Sequence, residues 1–125
     1  MPTVLLVADD DWVRNDVEAA LSDPTTTVET TEDPRRVVHA GHDVEPDLYV
    51  VDMQIGSMGG MAVTRQLKDA FAAGLLVERP IVLLLDRSAD AFLGKRAGAD
   101  VWVQKPFTAQ DLRAARDRAA ARVTS

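Results

Sequence analysis

The side chains of this chain that could do chemistry are a set of carboxylates and one lysine. Asp9, Asp10 and Asp11 follow the apolar run Val4 to Val7, and Asp52 follows Leu48 to Val51. Asp86 follows Ile81 to Leu85, and Lys105 stands between Val101 to Val103 and Pro106. Each group lies just past a β-rich segment. If these segments are neighbours in a parallel sheet, the side chains gather at one edge, because such sheets bind ligands outside the carboxyl ends of their strands. Carboxylates gathered there repel one another: two unit charges about 4 Å apart cost about 4 kcal/mol at an effective dielectric of about 20. Protonation or a bound cation must relieve that repulsion. Oxygen ligands without His or Cys favour a hard ion, Mg2+ first. A carboxylate beside Mg2+ and an ammonium is also equipped to accept a phosphoryl group. The cations neutralise charge on the transferring group while the carboxylate attacks phosphorus and becomes an acyl phosphate.

The elements that must position these groups read as alternating βα units around a parallel sheet. Val4 to Val7 is continuously apolar, as a strand buried on both faces requires. From Trp12 onward, Val13, Val17 and Leu21 recur at a spacing of four and predict a helix ended by Ser22-Asp23-Pro24. Thr25 to Thr31 is β-branched but polar, which suits a sheet edge. Asp33-Pro34 starts a second helix, with Gly41 near its end, and Pro46-Asp47 introduces the strand Leu48 to Val51. Gly56-Ser57-Met58-Gly59-Gly60 is the most flexible loop, and the helix after it buries Val63, Leu67, Ala70 and Phe71 before Gly74. Pro80 opens the strand Ile81 to Leu85, Ala89 to Ala97 forms a short helix closed by Gly98, and Val101 to Val103 is the fifth strand. Thr108 caps a last helix with Leu112, Ala115 and Ala119 inward and Arg113, Arg116, Arg118 and Arg122 outward.

Length and composition bound the answer. The 125 residues carry 14 Lys+Arg against 20 Asp+Glu, a net charge of −6, and no cysteine. One core is expected, burying roughly two-thirds of the surface that the unfolded chain exposes. Without Cys there is no disulfide framework and no thiolate metal site. No apolar run approaches the roughly 20 residues that span a bilayer, and no signal peptide is evident, so a cytoplasmic location is expected. The acidic balance disfavours nucleic acid and anionic membrane as partners. A single domain over residues 1–125 is expected, its last helix running almost to Ser125 with no effector domain after it.

The order and spacing of five segments give a more specific reading. They are Val4 to Asp11 with Arg14 following, Pro46 to Met53, Met58-Gly59-Gly60-Met61, Ala97-Gly98-Ala99-Asp100, and Lys105-Pro106-Phe107. Over essentially its whole length the chain resembles a receiver domain of bacterial two-component response regulators. The resemblance implies an α/β, flavodoxin-like, doubly wound sheet of five parallel strands in the order 2-1-3-4-5, with five helices. It makes Asp52 the phosphoacceptor, Asp10 the direct Mg2+ ligand, Asp9 a ligand acting largely through water, and the backbone carbonyl of Gln54 the remaining protein ligand. Lys105 would contact the phosphoryl group across a cis bond to Pro106. Trp102 falls where the family carries its switching aromatic. The implied partners are a histidine kinase or phosphotransfer protein, and a downstream protein or second copy at the face of the fourth helix, fifth strand and fifth helix. The resemblance also marks departures. Leu85-Asp86 stands where the family ends its fourth strand with Thr or Ser, and the stretch from there to Lys105 is shortened. Gly56 and Gly59 replace the usual Pro and Asp of the acceptor loop and are expected to loosen it.

Other readings compete at each position. Asp11 is better read as a helix cap or solvated residue than as a metal ligand, and Trp102 as packing before switching. The Arg-rich helix face reads as solvated, Met53, Met58 and Met61 as adaptable packing, and His39 and His42 lie away from the carboxylates. A phosphorylation-independent pseudo-receiver, keeping the fold as a protein-interaction module, is the alternative that Leu85-Asp86 motivates. A haloacid-dehalogenase-like phosphatase would need a second Asp where Gln54 stands. A flavodoxin-type cofactor would need backbone donors where the first loop offers anions. No enzymatic turnover is expected.

Overall fold

Leu5, Leu6, Val7 and their neighbours in two further strands are buried on both faces of one sheet. In the computed structural model, which describes residues 2–56 and 58–124 without the side chains of Val123 and Thr124, the sheet has five parallel strands. They are β1 (Thr3–Val7), β2 (Thr27–Thr31), β3 (Leu48–Asp52), β4 (Ile81–Leu85) and β5 (Val101–Gln104), in the order β2-β1-β3-β4-β5. The polar β2 takes one edge, as its composition predicts. At the other edge β5 alternates: Val101 and Val103 are buried, Trp102 and Gln104 exposed.

Helices cover both faces. On one, α1 (Asp11–Leu21) and α5 (Ala109–Thr124) bury Val13, Val17, Leu21, Leu112, Ala115 and Ala119 against Val4, Leu6, Val50 and Leu84. On the other, α2 (Val37–Val44), α3 (Gly60–Ala72) and α4 (Ala91–Ala97) pack on Leu5, Val7, Tyr49, Val51, Leu83 and Leu85. Fully burying a side chain of this kind contributes about 1.5–3 kcal/mol, so two such layers supply the main driving force.

Several boundaries differ from the sequence expectation for local reasons. Thr25 and Thr26 lie outside β2, in a turn where Asp23 Oδ1 accepts from both the backbone and hydroxyl of Thr25 at 2.8 Å. Pro34–Arg36 forms a 3-10 turn under the Asp33 cap before α2 begins. Gly41 lies inside α2, which ends at Glu45 in the left-handed conformation. Ser88–Asp90 is likewise a 3-10 turn, so α4 starts later than expected. The outward arginines of α5 are not uniformly solvated: Arg113 Nε donates to the Ala20 carbonyl at 2.8 Å, tying α5 to the last turn of α1. Thr108 and Asp111 exchange backbone and side-chain bonds at 3.0 Å, a reciprocal cap on α5.

Candidate functional site

Asp52 is the last residue of β3, between β1 and β4, and is only 1% exposed. Its Oδ1 accepts from the Gln54 backbone N–H at 3.1 Å and from Lys105 Nζ, while Oδ2 is buried without a hydrogen-bond partner. Burial pushes the Asp52 carboxyl above the usual carboxylate range; the Lys105 bond and charge and the Gln54 N–H oppose that rise without cancelling it. Lys105 follows β5, held where its backbone N–H donates to the Leu85 carbonyl at 2.8 Å, and its bond to Pro106 is cis. Lys105 Nζ reaches Asp86 Oδ1 at 3.1 Å as well and lies 5.9 Å from the centroid of the Trp12 ring, which packs 6.0 Å from Phe107.

The three consecutive aspartates take separate roles. Asp9 Oδ2 accepts from the Gly56 N–H at 3.0 Å, joining the β1 end to the acceptor loop. Asp10 caps α1, accepting from the Trp12 N–H at 3.2 Å. Asp11 pairs with Arg14 at 2.5 Å, exposed to solvent. Among the described residues no group of three or more His, Asp or Glu side chains is close enough to hold a metal by itself. Asp9, Asp10 and Asp52 thus make no such three-carboxylate group, and one Asp10 oxygen is engaged at the start of α1. The register gives the reason. One step past the Val7–Val51 pair, the residue opposite Asp52 is Ala8, fully buried and without a carboxylate. Asp9 is the first carboxylate beyond it.

A groove of about 430 Å³ runs between Asp9 and Asp10 on one side and Met53, Gln54, Gly56 and Gly59 on the other. Among its described residues, which leave out Ser57, the acceptor loop makes specific backbone hydrogen bonds. Gly59 N–H donates to Ile55 O at 3.0 Å, Gly60 N–H to Met53 O at 2.9 Å, and Gly56 and Gly59 use the positive φ that glycine permits. Gly60 is required by contact: a Cβ there would lie 2.5 Å from the Asp52 carbonyl oxygen and 2.7 Å from Met53 Cα. Hard oxygen donors beside an unpartnered buried carboxylate oxygen fit Mg2+.

The remaining expected positions divide. Asp86 is at the site; Leu85 is not, its side chain packing on the opposite face of the sheet within the α2–α4 layer. Trp102, on the edge strand β5, is 36% exposed, the rest of its surface being covered. Met53 and Met58 pack against the core, and His39 and His42 lie on α2 beside Asp43. Sequence reasoning missed Trp12, whose ring lies beside the lysine, and Phe107, which packs on Trp12; the spacing of Trp12 from the aspartates was the available signal.

The chain matches the response regulator receiver domain family over residues 4–117. It is 34% identical to the response regulator MprA of Mycolicibacterium vanbaalenii, covering 100% of this chain and 53% of that protein. It is 32% identical to the transcriptional regulatory protein CseB of Streptomyces avermitilis, covering 83% of this chain and 43% of the relative. The chain thus spans about half the length of the curated relatives it matches. The chemotaxis response regulator CheY4 of Vibrio cholerae superposes with a TM-score of 0.81 at 26% identity, covering 95% of this chain and 98% of that one. Strand order, the buried acceptor-type aspartate with its lysine, and a family match from β1 into α5 agree: the chain belongs to the receiver domains of two-component response regulators.

Proposed function

We propose that this receiver accepts a phosphoryl group on Asp52 from the phosphohistidine of a histidine kinase or phosphotransfer protein in the cytoplasm. The observation that carries the reading is the Asp52 carboxylate: buried at the edge where strands end, held through one oxygen by Lys105, its other oxygen without a partner. A buried group left in that condition costs about 1–3 kcal/mol, which a structural aspartate would not retain without use. Asp9, Asp52 and the Gln54 carbonyl would hold Mg2+, with Asp10 at the groove's margin. The ion supplies neutralising charge for the transferring group and for the carboxylates.

In the transfer, an Asp52 carboxylate oxygen forms a bond to phosphorus as the phosphorus–nitrogen bond to the donor imidazole breaks, and the imidazole keeps the electron pair. Lys105, already fixed between β5 and Pro106, meets a phosphoryl oxygen with its ammonium. The acyl phosphate is the signal, and the domain acts as acceptor rather than as an enzyme. Phe92, Leu93 and Trp102, exposed at 65%, 37% and 36% on α4 and β5, support that face as the docking surface for a downstream protein or a second copy. Incubation with a small acyl phosphate donor and Mg2+ tests the acceptor role by intact mass. The expected result is a gain of one phosphoryl group, lost in Asp52→Asn and without Mg2+; an unmodified native chain, or a modified Asp52→Asn chain, would refute it.

A further inference from the structure

We infer that Asp86 is a built-in competitor for Lys105, holding the ammonium in the unmodified domain and yielding it to the phosphoryl group. The inference rests on the acceptor reading of Asp52. Register places the three groups together: Asp52 pairs with Leu84 across β3 and β4, and Leu85 pairs with Gln104 across β4 and β5. One step beyond that last pair, Asp86 stands opposite Lys105, and it is two residues past Leu84 on the same face of the sheet as Asp52. Lys105 Nζ accordingly bonds Asp52 Oδ1 and Asp86 Oδ1 at once.

The two anions are not equivalent. Asp52 is 1% exposed and confined by the Gln54 N–H, whereas the Asp86 side chain is 28% exposed and its only ion pair among the described residues is with Lys105. Arg87, the nearest cation in sequence, is engaged by Asp90 at 3.3 Å. A phosphoryl group on Asp52 adds negative oxygens within reach of the same ammonium, and two anions sharing one small cation repel across a few ångströms. Asp86, with water available, is the one released. Its release bears on the next segment, because Asp86 leads directly into the Arg87–Asp90 turn and α4. Asp86 is therefore a positioning residue: it acts on the reaction through Lys105, by the release of a charge.

The test is binding of beryllofluoride, a phosphoryl mimic, with Mg2+ to the native chain and to Asp86→Asn, Asp86→Ala and Asp86→Glu, followed by amide NMR. Removing the charge is expected to tighten binding at least about fivefold in both Asn and Ala variants, two replacements that guard against a fold defect in one. Asp86→Glu, which keeps the charge, is expected to bind no tighter than the native chain. Saturation of the native chain is expected to shift the amides of residues 86–97, and Asp86→Asn to lose most of that response. Equal or weaker binding in Asn and Ala variants overturns the competition while leaving Asp52 as acceptor. Binding by no variant, the native chain included, overturns the acceptor reading and the inference with it.

Discussion

Asp52 shows at the scale of one residue how a receiver trades stability for chemistry. Its carboxyl titrates above the usual range because burial outweighs the help from Lys105, so ionising it costs the folded state. The sign is that of a raised acid: the folded state binds the proton more tightly, and stability falls as pH rises from the unfolded value near 3.8 through the raised folded one. Asp52→Asn removes that cost and is expected to melt at a higher temperature than the native chain at neutral pH; a lower melting temperature contradicts the assignment. Tyr49 gives a second titration at the opposite end of the range. The only tyrosine of the chain, it is 1% exposed, and burial pushes its phenol up to about 12 despite the nearby Arg79 charge. The unfolded chain ionises near 10, so stability is expected to fall between pH 10 and 12 by roughly 1.4 kcal/mol per unit at most. Urea midpoints across that window measure it, and Tyr49→Phe should flatten the slope; an unchanged slope places the titration elsewhere.

Among the elements, the junction of β3 and α3 decides whether the acceptor is presented correctly. Gly60 allows the first turn of α3 to lie against the backbone of Asp52 and Met53, at distances no Cβ tolerates. Gly60→Ala must displace backbone rather than a flexible side chain, and is expected to cost at least about 2 kcal/mol in urea unfolding. A neutral substitution would show that the junction is looser than its contacts imply. The same junction marks what the sequence reveals. The five strands and the charged residues that follow them are legible from where apolar runs end, whereas the strand order that brings Asp52 to Lys105 came from the family resemblance. What escaped was the division of labour within Asp9-Asp10-Asp11. That depends on whether the strand ends at Val7 or Ala8 and which residue then caps α1, a difference of one residue that periodicity does not resolve. Gly56 and Gly59 read as freedom, and the structure adds what the sequence does not show, the backbone hydrogen bonds that their positive φ accompanies. Trp102 reads as packing because aromatic area favours burial, and on the edge strand β5 it keeps 36% of its surface exposed.

For the whole molecule, the excess of acidic residues resolves into a few with assignable work and a remainder on the surface. Of the net −6, the charges that matter are those around Lys105, a cation buried between two carboxylates at the edge of the sheet. From that edge the chain leads through Asp86 to α4 and through Lys105 back to β5. Those two elements carry the exposed Phe92, Leu93 and Trp102, so chemistry at the site and the apolar face share the same connecting segments. Asp52 as the acceptor is tested most directly by an amide NMR titration with beryllofluoride and Mg2+, comparing the native chain with Asp52→Asn. Saturable shifts centred on residues 9, 52–56 and 105 are expected, requiring both additives and vanishing in Asp52→Asn. No response in the native chain, or an equal response in the variant, would contradict it.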